Sequence, residues 1–521
     1  MSQEEYSIRE PVQVLRGIWQ GAEYPAPQEG EEVIEVSAAT RRIAGAYERF
    51  RNTLEPEEAD ILRRNAIYRV LERRLDQNRS SEDVAVALIQ ELIRANYIEA
   101  PPKRLAFRVA QDITRARVVL DTLDRKYHAW FLSLVAVSID RYLHTHDKQE
   151  VLAHLMYNDT YQRASWMDDL VSEKERGAQL YIGCYRVLFA ADDYEISYTY
   201  FNRRFPAWHD PNVTEANIAA VARDLPEFYS EVQRIVNHGA RHRLHRLLRP
   251  VAVPYRVLYD LLQSKKPEIW QSNSGLESTA RDVIRARTAS IRSRMNRRAW
   301  HSILFLLFTK TILTGLVEYP YEVAVLREVH WGALLTNIFF HPFLLLFAAS
   351  TARLPGSVNS EHVMDQLRRV VTGTGELPTI ILHRSRRYGV LGLSGLALIY
   401  TLVFVGIFWA LFALLDALNF SLVAMLLFVI FLGLVVFLSF RIRRAVEEIR
   451  LVKRRDGFVS TLFSFVSLPI LEFGRWLAEN IQNINIILFF MDRVLEAPFK
   501  LLIDIIEDWF SFVRERKEEI V

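Results

Sequence analysis

Four stretches almost free of charge, 19 to 28 residues long, fall within 142 consecutive positions, and no other feature of the chain limits its fold as strongly. They are Ala299 to Val317, interrupted by Lys310; Trp331 to Ala352; Tyr388 to Leu415; and Ala417 to Phe440. A helix needs about 20 apolar residues to cross a hydrocarbon core of ~30 Å. One such run could be a buried helix of a soluble protein; four in succession are the pattern of a transmembrane bundle. Whole-chain averages conceal this, because mean hydropathy is only +0.03 and net charge only +3. Those averages mix two materials: 15 charged residues in the 140 positions from His301 to Phe440, against 112 in the other 381.

Lys and Arg are retained on the cytoplasmic side of a membrane, so the flanks set the orientation. Arg281, Arg285, Arg287, Arg292, Arg294, Arg297 and Arg298 precede the first span. The connection Glu318 to His330 carries three Glu against Arg327 alone; the next contains Arg353, Arg368, Arg369, Arg384, Arg386 and Arg387; the third is a tight turn with Asp416. Arg441, Arg443, Arg444, Arg450, Lys453, Arg454 and Arg455 follow the last span. The alternation predicts four spans with both termini cytoplasmic. Arg294, Arg297, Arg298, Arg384, Arg386, Arg387, Arg441, Arg443 and Arg444 are then the expected contacts for anionic lipid headgroups.

The third run would be about 42 Å long as a helix, and its Gly389, Gly392 and Gly395 suggest a groove for another helix. Lys310 and His341 fall near the middle of the first and second spans, with Thr314 and Asn337 as candidate partners. A Lys at that depth costs roughly 3 kcal/mol on insertion scales, so it is expected to face the bundle interior. Two readings follow. In one, Lys310, Thr314, Asn337 and His341 form a proton or ion relay, with Pro342 freeing a backbone carbonyl. In the other, Lys310 is hydrogen-bonded in place, His341 is a satisfied interior histidine and Pro342 is a kink. Glu318 and Asp416 are placed at the outer rim, which leaves no acid inside the spans and weakens the relay.

The amino-terminal half reads as helical. Apolar residues recur at three and four, as in Val84, Leu88, Leu92 and Ile93. Ser80-Ser81-Glu82-Asp83 and Thr214-Glu215 are helix starts, while Pro101-Pro102, Gly239 and Pro250 to Pro254 are stops. The uncharged run Ala129 to Ile139 is too short to span and suits a central core helix. Residues 1–35, with Pro11, Pro25 and Pro27, suggest an extended arm; 36–270 a helical cytoplasmic domain; 271–298 a basic linker helix entered through the linker Ser272 to Gly275; 299–440 the bundle; and 441–521 a basic stop with amphipathic helices. The fold class expected is therefore all-α: a four-span helical bundle preceded by a large helical cytoplasmic domain and followed by amphipathic helices.

Chemistry is sparse. The single cysteine, Cys184, excludes an intramolecular disulfide and a Cys-based zinc site. The acidic start Met1-Ser2-Gln3-Glu4-Glu5 has no apolar segment of signal-peptide type. His238, His242 and His245 share a helix face, but Arg241, Arg243, Arg246 and Arg249 interleave and oppose a bound cation; His144, His146, Asp147 and His154 lack ligand spacing. No Walker A loop, H-E-x-x-H or C-x-x-C occurs, so no cofactor, metal or catalytic residue is assigned, and the modest net charge argues against nucleic acid. Gly457 to Leu471 and Ile481 to Met491 are short apolar stretches of interfacial or re-entrant type, with a buried helical hairpin as the alternative. Leu495, Phe499, Leu502, Ile506, Trp509 and Val513 form a heptad-like seam, so 495–513 could pair two copies or pack on the chain's own helices. The first functional expectation is a non-enzymatic scaffold or interaction module at the cytoplasmic face. The alternatives are a channel or transporter using Lys310 and His341, and a membrane-bound enzyme without a recognisable motif.

Overall fold

A computed structural model describes residues 7–20, 31–34, 36–38, 40–42, 44–45, 48, 59–75, 79–143, 147–167, 171–264, 266–351, 356–375, 377–382, 390–444, 451, 458–483, 505 and 509. It is 83% helix and 2% strand, the strand being two three-residue segments, Ala164–Trp166 and Ile380–Leu382. Two compact units result: Met1–Arg9, Ser165–Asp168 and Arg249–Asn485 in one, and Glu10–Ala164, Asp169–Leu248 and Ile486–Val521 in the other.

The second of these units is a helical body built around His128–Leu143. That helix packs against Ala59–Arg74, Arg104–Thr122 and Asp193–Arg204, which bury its Phe131, Val135 and Ile139. Each such side chain stabilises the unit by roughly 1.5–3 kcal/mol. Helix starts follow the capping rule: Ser80 accepts from the Asp83 N–H and Thr214 from the Asn217 N–H, each satisfying an orphan donor. Charged groups are buried as pairs, Arg63 Nη2 donating to Asp140 Oδ2 at 3.0 Å and Arg64 Nη2 to Asp192 Oδ2 at 2.8 Å.

The expected extended arm is corrected in part. Glu10–Gln20 is a helix whose Val12, Leu15 and Trp19 are buried, a three-four spacing that outweighs Pro11, since proline is tolerated in a first turn. Pro250 and Pro254, read as stops, lie inside the helix Arg241–Gln263.

The other unit holds four helices long and apolar enough to cross a membrane: Asn273–Leu326, Trp331–Ser350, Ala397–Ala417 and Leu422–Phe440. Ser272, read as the start of a linker, instead caps the first helix by accepting from the Gly275 N–H at 3.1 Å. From there the helix runs 54 residues, about 80 Å at 1.5 Å per residue. It ends at Arg327, whose φ of 57° breaks the helix. First, second and fourth spans share the core: Ile303, Leu306, Leu345, Phe431 and Val435 form one cluster, and Ala333, Phe420, Ala424, Phe428 and Leu432 another. The third is peripheral, with 6% of its apolar window buried against 44% for the fourth.

Of the glycines expected to form a groove on the third span, Gly389 and the surroundings of Gly392 lie outside the described residues, and Gly395 packs against nothing. A side chain added at Gly395 would meet open space, whereas one at Gly474 would collide with the Gly433 carbonyl, and one at Gly433 would meet Phe473 Cδ1 at 2.7 Å. Gly433 belongs to the fourth span and Gly474 to Phe458–Asn483, a single 26-residue helix with Pro469 inside it. The stretch expected as a short interfacial segment or hairpin is thus part of one long helix packed on the fourth span.

Candidate functional site

The first span carries Lys310, Thr314, Glu318 and Glu322 at intervals of four. In an α-helix four residues overshoot a turn by about 40°, so three such steps would carry the last side chain about 120° away. The wider turn between Thr314 and Glu318 opposes that drift. Thr314–Glu318 and Glu322–Leu326 are π-helical, and the Tyr319 N–H donates to the Thr314 carbonyl, five residues back. Pro320 supplies a local reason, because it has no N–H to continue the α-helical ladder. All four polar residues end buried: Lys310, Glu318 and Glu322 are fully enclosed and Thr314 is nearly so.

Glu318 joins two spans. Its Oε2 accepts from Thr314 Oγ1 at 3.1 Å and from Asn337 Nδ2 at 2.8 Å, while Oε1 has no partner among the described residues. Asn337 Nδ2 also reaches the Ala424 carbonyl of the fourth span at 3.4 Å. Glu322 Oε2 accepts from the His330 backbone N–H at 2.9 Å. Lys310 Nζ lies 4.4 Å from the centroid of the Phe431 ring, a cation–π contact of about 0.5–2 kcal/mol. Among the described residues it has no hydrogen-bond partner, although an ammonium offers three donors.

His341 is fully buried one turn along the second span from Asn337. Its Nε2 faces the Phe428 carbonyl at 3.0 Å and its Nδ1 the Asn337 carbonyl at 3.2 Å, with the Phe428 ring 4.6 Å away. Both partners are acceptors. A neutral imidazole carries one N–H and can satisfy one of them; only the doubly protonated ring donates to both.

The structure therefore brings Thr314 and Asn337 together on Glu318, sets His341 against Asn337, and places Lys310 and His341 both against the Phe431 ring. Glu318, read as a residue of the outer rim, is fully enclosed between helices, because the first helix continues to Leu326 with Glu318 and Glu322 both buried. Sequence reading missed Glu318 and Glu322; the four-residue recurrence beginning at Lys310 was the available signal. Of the expected lipid contacts, Arg294, Arg297 and Arg298 are exposed on the helix leading into the first span. Arg384, Arg386 and Arg387 and the side chains of Arg441, Arg443 and Arg444 lie outside the described residues, as do His144, His146 and the seam 495–513 apart from residues 505 and 509.

No family model, no curated protein and no solved structure matches the chain.

Proposed function

We propose that this protein is a channel or transporter whose first and second spans carry protons through the Lys310–Glu318–Glu322 stripe. The observation that carries this reading is the buried Glu318 carboxylate, held by Thr314 and Asn337 and left with one oxygen unpartnered among the described residues. Ionisable groups inside a lipid-spanning bundle are costly, and they persist where ions or protons pass. π-turns at two of the acids add to this, since such bulges recur at functional sites.

With the basic flanks cytoplasmic, the stripe runs about 18 Å from Lys310 near the middle of the bundle to Glu322, five residues before the opposite mouth at Arg327. Protons arriving from that mouth meet Glu322, then Glu318, then Lys310. The cytoplasmic half of the first span is apolar, and its inward residues Ile303 and Leu306 are packed in the bundle core, so they act as the barrier. His341 adjoins the stripe through Asn337 and Phe431, and its two carbonyl partners would both be satisfied by the doubly protonated ring.

A scaffold reading has its own support, the 54-residue helix that links a span rigidly to the segment preceding it. Lys310→Leu separates the two. In vesicles containing the reconstituted full chain, transport requires pH-gradient dissipation to fall to the leak rate, whereas a scaffold would keep its assembly and membrane localisation with no flux to lose.

A further inference from the structure

A cavity of about 650 Å³ opens between the helix Asn273–Leu313 and the start of the helix Ser357–Thr372. Its volume falls within the usual range for small-ligand sites. Arg285, Arg292, Ser293 and Asn296 line one wall and Ser357 and Ser360 the other, and no acidic residue contributes to the lining. The polar wall arises from register, because Arg285, Arg292 and Asn296 recur at seven and four and so share a helix face. Arg292 makes no ion pair among the described residues, and Arg285 has only a loose exposed one, 3.7 Å from Asp282. Two arginines and an amide on one wall with two hydroxyls on the other, around a concave space, suit a tetrahedral dianion. The facing wall has a matching property: Gly356 caps its helix without a side chain, and while the Asn359 and Ser360 N–H groups donate to the Gly356 carbonyl, those of Ser357 and Val358 have no intrahelical acceptor.

We propose that this cavity is a binding site for a phosphate monoester. It lies beside two span ends, Asn296 being three residues before Ala299 and Gly356 six after Ser350. A lipid headgroup can therefore reach it from the bilayer, and a soluble phosphate compound from the water. Both present the same terminal dianion. The site is separate from the Glu318 stripe and does not depend on a transport role.

The test uses the purified full chain in neutral detergent, titrated with short-chain phosphatidic acid, short-chain phosphatidylserine and inorganic phosphate. Saturable binding of phosphatidic acid that exceeds phosphatidylserine is expected; competition by inorganic phosphate assigns a soluble source, and its failure to compete assigns the lipid. Arg285→Ala with Arg292→Ala should weaken binding by about tenfold or more, the loss of two charge-assisted contacts. Arg281→Ala, on the same helix outside the cavity lining, should change it by no more than about twofold. Ser360→Asp, which sets a carboxylate in the cavity, should abolish binding with unaltered thermal unfolding. Equal affinity for the two lipids, or a double variant that binds as the parent does, would overturn the proposal.

Discussion

Asn337 Nδ2 donates to Glu318 Oε2 at 2.8 Å and so ties the second span to the first through a group with no access to solvent. The bond compensates a carboxylate that the bundle would otherwise enclose at the cost of its hydration. Replacing Asn337 with Leu leaves Thr314 as the one hydrogen-bond donor to Glu318 among the described residues. Thermal unfolding in detergent should then report a loss of roughly 2–4 kcal/mol. Combining Asn337→Leu with Glu318→Gln should recover part of that loss, because the carboxylate that lost its donor is then replaced by a neutral amide. Unchanged stability in the single variant would mean that the bond is dispensable.

The approach of Gly433 to Gly474 admits no side chain at either position. Gly474→Leu should force the helix Phe458–Asn483 away from the fourth span and cost roughly 1–3 kcal/mol, as overpacking does. Gly395→Leu, facing open space, serves as the control. A cysteine pair introduced at this crossing should oxidise in the parent background and fail to do so beside Gly474→Leu.

A pH signature is expected from the helical body. Asp112 is enclosed, and burial raises its carboxyl from 3.8 to about 6, against the lowering effect of Ser138 and Arg115. His209 accepts from the Tyr142 hydroxyl at Nδ1 and donates from Nε2 to Asn202 Oδ1; burial, then Arg115 and Arg141, lower it from 6.5 to about 4. Between about pH 4 and 6 the native Asp112 holds a proton that the unfolded chain has released, so its contribution falls as pH rises. Over about pH 4 to 6.5 the native His209 lacks a proton that the unfolded chain holds, so its contribution falls as pH drops. The two slopes oppose each other where they overlap. Relative to the parent, Asp112→Asn should make stability rise more steeply from about pH 4 to 6.5, and His209→Gln should make it fall as pH rises from about 4 to 6. Thermal midpoints measured across that range decide it. The Asp112 part is bounded at roughly 3 kcal/mol, and parallel profiles for all three proteins would contradict the assignment.

Breaking the buried Arg63–Asp140 pair should be costly in the same body. Arg63→Met takes the paired guanidinium away from a fully enclosed carboxylate and should lower the unfolding free energy by roughly 3–5 kcal/mol. Replacing both partners with apolar residues of similar size should cost far less, and equal losses would show that packing rather than charge governs the site.

The spans were legible in the sequence because hydropathy needs no knowledge of a partner: Trp331–Ser350 and Leu422–Phe440 follow from their own residues. Local caps such as Ser80 and Thr214 were legible for the same reason. Long-range consequences were not. Glu318 and Glu322 look like the polar end of a span until Asn337 supplies a donor and a π-turn keeps them facing inward. The close approach of Gly433 and Gly474 is likewise a property of two helices, whereas the more regular glycines of the third span include Gly395, which approaches nothing. Lys310 was legible as an interior residue; that it lies against the Phe431 ring depends on the position of the fourth span.

The central claim is that Glu318 carries protons, and the most direct measurement is proton flux into vesicles containing the reconstituted full chain, with a pH-sensitive dye inside and an imposed gradient. Glu318→Gln preserves the size of the side chain and can still meet Thr314 and Asn337, but it cannot exchange a proton. The variant should insert and melt like the parent while its flux falls by at least about tenfold. Flux equal to the parent's, from a variant shown to be folded, would contradict the account.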